Sequence, residues 1–167
     1  LTQSHAHTFF ATKNDLVRAL ASRWFEEVES GLESALKQPG PPSEKLRRYV
    51  LTMLRAKRAK FDENPDLFHA YLALASEHKD LVAVHAARLY AMLEGIVAEM
   101  VPPRDVKSAA QLVHDATVLF RVPHNIALFR PWATDERAEA VVDALARALT
   151  SNAQRSTQKR QSQQEHQ

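Results

Sequence analysis

The chain has 167 residues, 45% of them apolar and 25% charged, with 22 Lys and Arg against 20 Asp and Glu. That length and balance suit one compact domain whose core needs no metal or disulfide staple. Cysteine is absent, which excludes disulfides, thiolate nucleophiles and sulfur-built zinc or iron–sulfur sites and suits a reducing cytoplasm; no uninterrupted apolar stretch approaches the ~18 residues of a membrane span.

The charge is unevenly placed. Residues 151–167 hold Arg155, Lys159 and Arg160 against Glu165, so the formal net charge of +2 resides in this tail and the remaining body is balanced. Only three glycines occur and Asn-Gly and Asp-Gly are missing, while Ala, Leu, Glu, Lys and Arg dominate, so the expected fold is all-α. Prolines at 39, 41, 42, 65, 102, 103, 123 and 131 mark the breaks, and about six helices lie between them. The first runs from a Thr12-x-x-Asp15 capping box to about Gln38, with Leu16, Leu20, Trp24, Val28, Leu32 and Leu36 in one drifting stripe. A second, about 43–62, carries Leu46, Val50, Met53 and Leu54 on one side and seven cations from Lys45 to Lys60 elsewhere, which reads as a solvated face in preference to a nucleic-acid surface. Pro65 after Asn64 opens a third, reaching about Ser76, and a fourth spans about 79–100. The last two, about 105–120 and 135–150, present small and branched side chains: Ala109, Leu112, Val113 and Ala116 on one, Val141, Leu145, Ala148 and Leu149 on the other. This pair could form a self-complementary dimer surface, or equally the core of one chain. The Gln-rich tail at 151–167 lacks apolar periodicity and is expected to be disordered.

The opening sixteen residues, Leu-Thr-Gln-Ser-His-Ala-His-Thr-Phe-Phe-Ala-Thr-Lys-Asn-Asp-Leu, are the most specific stretch. They resemble the end of the DNA-binding domain in the tetracycline-repressor (TetR) family of bacterial transcription regulators: a polar start at Thr2, an aromatic pair Phe9-Phe10, then Thr12-Lys13-Asn14-Asp15-Leu16 opening a long helix. The resemblance implies a remnant helix-turn-helix at 1–10 and a ligand-binding and dimerisation domain at 11–150. It further implies a homodimer, operator DNA as partner of the intact protein, and a small-molecule effector that releases the DNA, with no cofactor and no enzyme activity. Thr2, Gln3, His5, His7 and Thr8 would face the major groove and Lys13 a phosphate. His7 stands where the family usually has Tyr, and Ser4 where Gly is common. The two helices that precede the recognition helix in the family are absent, so the sequence reads as N-terminally truncated.

Within the regulatory domain the resemblance implies, Phe68, Tyr71, His78, His85, Leu89, His114, Phe120 and His124 are the expected pocket residues. Imidazole with carboxylate suits zinc, nickel or iron, and His85, His114 and His124 are the candidate ligands, but no His-x-x-x-His or Glu-x-x-His pair occurs, so histidines lining a pocket or bonded in a core are favoured over a metal site. The adjacent His114-Asp115, with His85 upstream and Asp143 downstream, has the residue order of metal-dependent phosphohydrolases and supplies the one enzymatic alternative.

Overall fold

In a computed structural model the backbone is described from Thr12 to Gln164, with the side chains of Lys13, Asn14 and residues after 151 left aside. The described residues are helical and contain no strand: α1 Lys13–Leu36, α2 Pro42–Glu63, α3 Pro65–Glu77, α4 Lys79–Ala98, a 3₁₀ turn Pro103–Asp105, α5 Val106–Ala116, α6 Val118–Arg121, α7 Pro123–Leu128 and α8 Asp135–Gln164.

The helix starts follow from local chemistry. The Thr12 hydroxyl accepts from the Asp15 amide at 3.1 Å and donates to the Asp15 carboxylate at 2.8 Å, satisfying a free N–H of the first turn. Asn64 does the same for α3, accepting from the Leu67 amide at 3.0 Å ahead of Pro65. Between α1 and α2 the chain turns at Gly40, whose φ of 155° lies where side chains rarely go. Arg48 packs against that turn and donates to the carbonyls of Gln38 and Pro39 at 2.6 and 2.8 Å.

Helix α2 is the centre of the bundle and packs against α1, α3, α4, α6, α7 and α8. Its Leu46, Tyr49, Val50, Met53 and Leu54 are fully enclosed together with Leu32, Phe68, Leu93, Val97, Val113, Ile126 and Val142 from the surrounding helices. Each such side chain contributes roughly 1.5–3 kcal/mol on burial. The cations of α2 are mostly paired, not merely solvated. Lys45 meets Glu99 at 2.7 Å, Arg47 meets Asp143 at 2.6 Å, Arg55 and Arg58 meet Asp135 at 2.7 and 2.9 Å, and Lys60 meets Glu27 at 3.3 Å. Lys57 alone points into the protein, 4% exposed.

Two expectations about the C-terminal half are corrected. The helix expected over 105–120 is broken at Thr117, whose hydroxyl donates to the Val113 carbonyl at 2.6 Å and accepts from Arg121 Nε at 2.7 Å, and α6 and α7 follow as short pieces. The tail expected to be disordered continues α8 to Gln164. Gln, Arg, Lys and Ala are good helix formers, so the missing apolar stripe removes a packing signal without opposing the helix.

Helix α4 is long and apolar enough to cross a membrane by length and composition alone. It nevertheless lays Leu89, Leu93, Ile96 and Val97 into the core, and carries His85 and Arg88 to a carboxylate of α1.

Candidate functional site

A cavity of about 310 Å³ lies among α1, α3, α4 and the broken α5–α7 segment. Its walls are largely carbon: Trp24, Phe25 and Val28 from α1, Leu72 and Ala75 from α3, Val82, Ala86 and Leu89 from α4, and Val122 with Pro123 at the start of α7. Small side chains at 75 and 86 leave room between helices that larger ones would fill, and the turn at Val122 carries the chain across the cavity wall instead of continuing a rod past it. The volume is at the lower end of small-molecule sites.

The ionisable side chains on this wall are Lys57, His85, Tyr90, His114, Arg121 and His124, with no carboxylate among them. Lys57 donates through Nζ to the main-chain carbonyl of Arg121. Burial, reinforced by the nearby Arg121 charge, pushes its ammonium down to about 7. Arg121 is itself buried and donates to the Thr117 hydroxyl through Nε and to the His114 carbonyl through Nη2 at 2.5 Å; burial lowers its pKa too. Tyr49 donates to the Leu89 carbonyl at 2.9 Å behind the wall, and burial holds its hydroxyl up to about 12.

His85 stacks on Phe25 with ring centres 4.3 Å apart and bonds Glu29 through Nδ1 at 2.7 Å. The second Glu29 oxygen is taken by Arg88 at 3.0 Å. Burial lowers the His85 pKa against the opposing pull of Glu29. His114 meets Tyr90 edge-on at 5.4 Å, and its Nδ1 is enclosed without a hydrogen-bond partner. Burial followed by the Arg121 charge lowers its pKa as well. His124 is exposed.

Four of the expected pocket residues, His85, Leu89, His114 and His124, meet on this wall. The other four do not. Phe68 fills the core edge-on to Trp24 at 5.7 Å, and Phe120 is core as well. Tyr71 packs on the far side of Trp24, by Lys60, and His78 is buried at the α3–α4 junction beside Arg18. An aromatic at helical spacing is as suited to a filled core as to a pocket, and only the tertiary arrangement separates the two.

The residues not foreseen are Lys57, Arg121 and Glu29. Lys57 was legible, because the buried positions 46, 50, 53 and 54 continue to 57 at helical spacing. Glu29 and Arg121 follow apolar neighbours and carry no such signal.

His85, His114 and His124 share the cavity wall, yet among the described residues no group of three His, Asp or Glu is arranged to hold a metal ion. The phosphohydrolase order is not assembled in space either. Asp143 is engaged by Arg47, Asp115 by Gln111 at 2.8 Å, and His85 by Glu29.

The expected dimer residues divide. Ala109, Val113 and Leu149 are buried within the single chain and belong to its core, α5 packing chiefly on α4 and α8 on α2. Leu112, Ala116 and Ala148 are exposed, and Val141 and Leu145 are partly so. Of the expected DNA-facing residues, Thr2, Gln3, His5, His7 and Thr8 lie outside the described residues, as does the side chain of Lys13.

The fold and cavity define an all-α domain with a largely carbon-lined cavity. Residues 42–142, more than half of the chain, match the family described as tetracyclin repressor-like, C-terminal domain, and the chain belongs to that family. No curated protein and no solved structure matches it.

Proposed function

We propose that this chain is the sensing and dimerising part of a cytoplasmic DNA-binding transcriptional regulator, a repressor whose operator affinity falls when a small molecule occupies the cavity. Membership of a family of regulators that are generally not enzymes supports binding over catalysis. The observation that carries the reading is the placement of α1. Trp24, Phe25 and Val28 form one side of the cavity, and the same helix begins at Lys13, directly after the segment that resembles a recognition helix. An occupant that pushes on these side chains tilts the helix on which that segment is carried.

In a dimer, that tilt changes the separation of two recognition helices, which must sit one DNA turn or a small multiple apart. Release follows only if the occupant binds the two tilts unequally. The exposed side chains Leu112, Ala116 and Ala148, with the half-covered Val141 and Leu145, supply the apolar surface for pairing.

The test is selection from a pool of random duplexes with the protein expressed from its natural gene, followed by sedimentation. Enrichment of a palindrome bound by a dimer is expected. A stable dimer that enriches no sequence would instead make the chain a ligand-binding module without a DNA role.

A further inference from the structure

The cavity has a chemical polarity of its own. Its wall is carbon except for one ammonium, one guanidinium, three imidazoles and a phenol, and no acid faces it. Lys57 has three N–H groups and one protein acceptor, the carbonyl of Arg121, and neither Lys57 nor Arg121 forms an ion pair among the described residues. The one buried carboxylate nearby, Glu29, has both oxygens committed to His85 and Arg88. A buried cation without a counter-charge is costly and is commonly retained where a ligand supplies the missing partner. His114 adds a ring nitrogen with no partner on the same wall.

We infer that the cavity binds an apolar carboxylic acid as its anion, the carboxylate taking the free donors of Lys57 with His114 beside it and the hydrocarbon lying against Trp24, Phe25 and Leu89. A neutral molecule of the same shape would satisfy the apolar wall but leave the Lys57 ammonium without a counter-charge. One ammonium with two free donors and a histidine that burial keeps neutral suit a single negative charge spread over two oxygens. This assignment rests on the effector-binding reading above and names the chemistry of that effector.

Trp24 lines the cavity and the other tryptophan, Trp132, is exposed, so a Trp132→Phe background turns Trp24 emission into a direct reporter. Decanoate, decanol and the neutral dye Nile red are titrated into the full chain at pH 7. Decanoate is expected to bind about tenfold or more tighter than decanol, the gain of one charge-assisted hydrogen bond in a dry site. Lys57→Met, similar in length and without charge, is expected to erase that preference while retaining decanol and the dye; Lys57→Arg is expected to restore part of it. The comparison of the two ligands on unaltered Lys57 stands even if the variants fail to fold. Dye binding with decanol equal to or tighter than decanoate overturns the anion assignment and leaves the pocket standing. Failure of all three probes to bind overturns the pocket as well.

Discussion

The Lys57 ammonium rests on the main-chain carbonyl of Arg121, so one buried cation is anchored on the backbone of another. The pair joins the central helix to the short segment that closes the cavity, and it ties the stability of the domain to pH.

Lys57 sits near 7 when folded and near its ordinary 10.5 when unfolded, so between these values the unfolded chain holds more protons. Stability therefore rises with pH across this window, at about 1 kcal/mol per pH unit for one proton. Urea unfolding between pH 7 and 9.5 should show the rise, and Lys57→Met should flatten it. On the acid side, His85 and His114 are held below their ordinary range, so the stability they confer is complete above pH 6.5 and is lost as the pH falls through their folded values. A wild-type profile flat from pH 7 to 9.5 would contradict the burial of a titrating lysine.

At Gly40 a methyl group would meet Arg48 at 2.5 Å, in addition to the strain of a φ of 155°. Gly40→Ala should cost about 1–3 kcal/mol in denaturant unfolding. In an Arg48→Ala background the same substitution should cost less, because the steric part is relieved and the backbone part remains.

Thr117→Val keeps the shape of the side chain but removes the oxygen that receives Arg121 Nε. The buried guanidinium then has an unmet donor, for a loss of about 1–3 kcal/mol by thermal unfolding. Thr117→Ser retains the oxygen and should stay within about 1 kcal/mol of wild type.

Exposed and buried members of the C-terminal pair should respond differently to charge. Leu112→Glu and Ala148→Glu lie on open surface of the single chain and should give a folded monomer by sedimentation and circular dichroism. Val113→Glu, one position from Leu112, places a carboxylate in the core and should abolish folding. Dimers that survive both surface substitutions would move the interface elsewhere.

Much of the helical plan was legible because it is written locally. The Thr12–Asp15 box, the Asn64-Pro65 start and the proline-bounded turns need only neighbours in sequence, and each forms as read. The cavity was half legible. His85 and His114, expected near a pocket from the family resemblance, do line the cavity, but Phe68 and Phe120 differ from pocket aromatics only in what the rest of the fold puts against them. The break at Thr117 is not legible in sequence because threonine is tolerated within helices; only the fold brings Arg121 to engage both its hydroxyl and the His114 carbonyl. The continuation of α8 past 150 is not legible from periodicity, which reports packing, and a helix of good formers can extend without it.

The replacement of one long rod by α5, α6 and α7 gives the cavity a wall that includes the two shortest α-helices among the described residues. A four-residue and a six-residue helix have few internal hydrogen bonds to hold them, so their amides should exchange with solvent sooner than those of α2. For the proposed effector, this part of the wall is the one expected to yield first, and slower exchange of the α6 and α7 amides than of the α2 amides would speak against it.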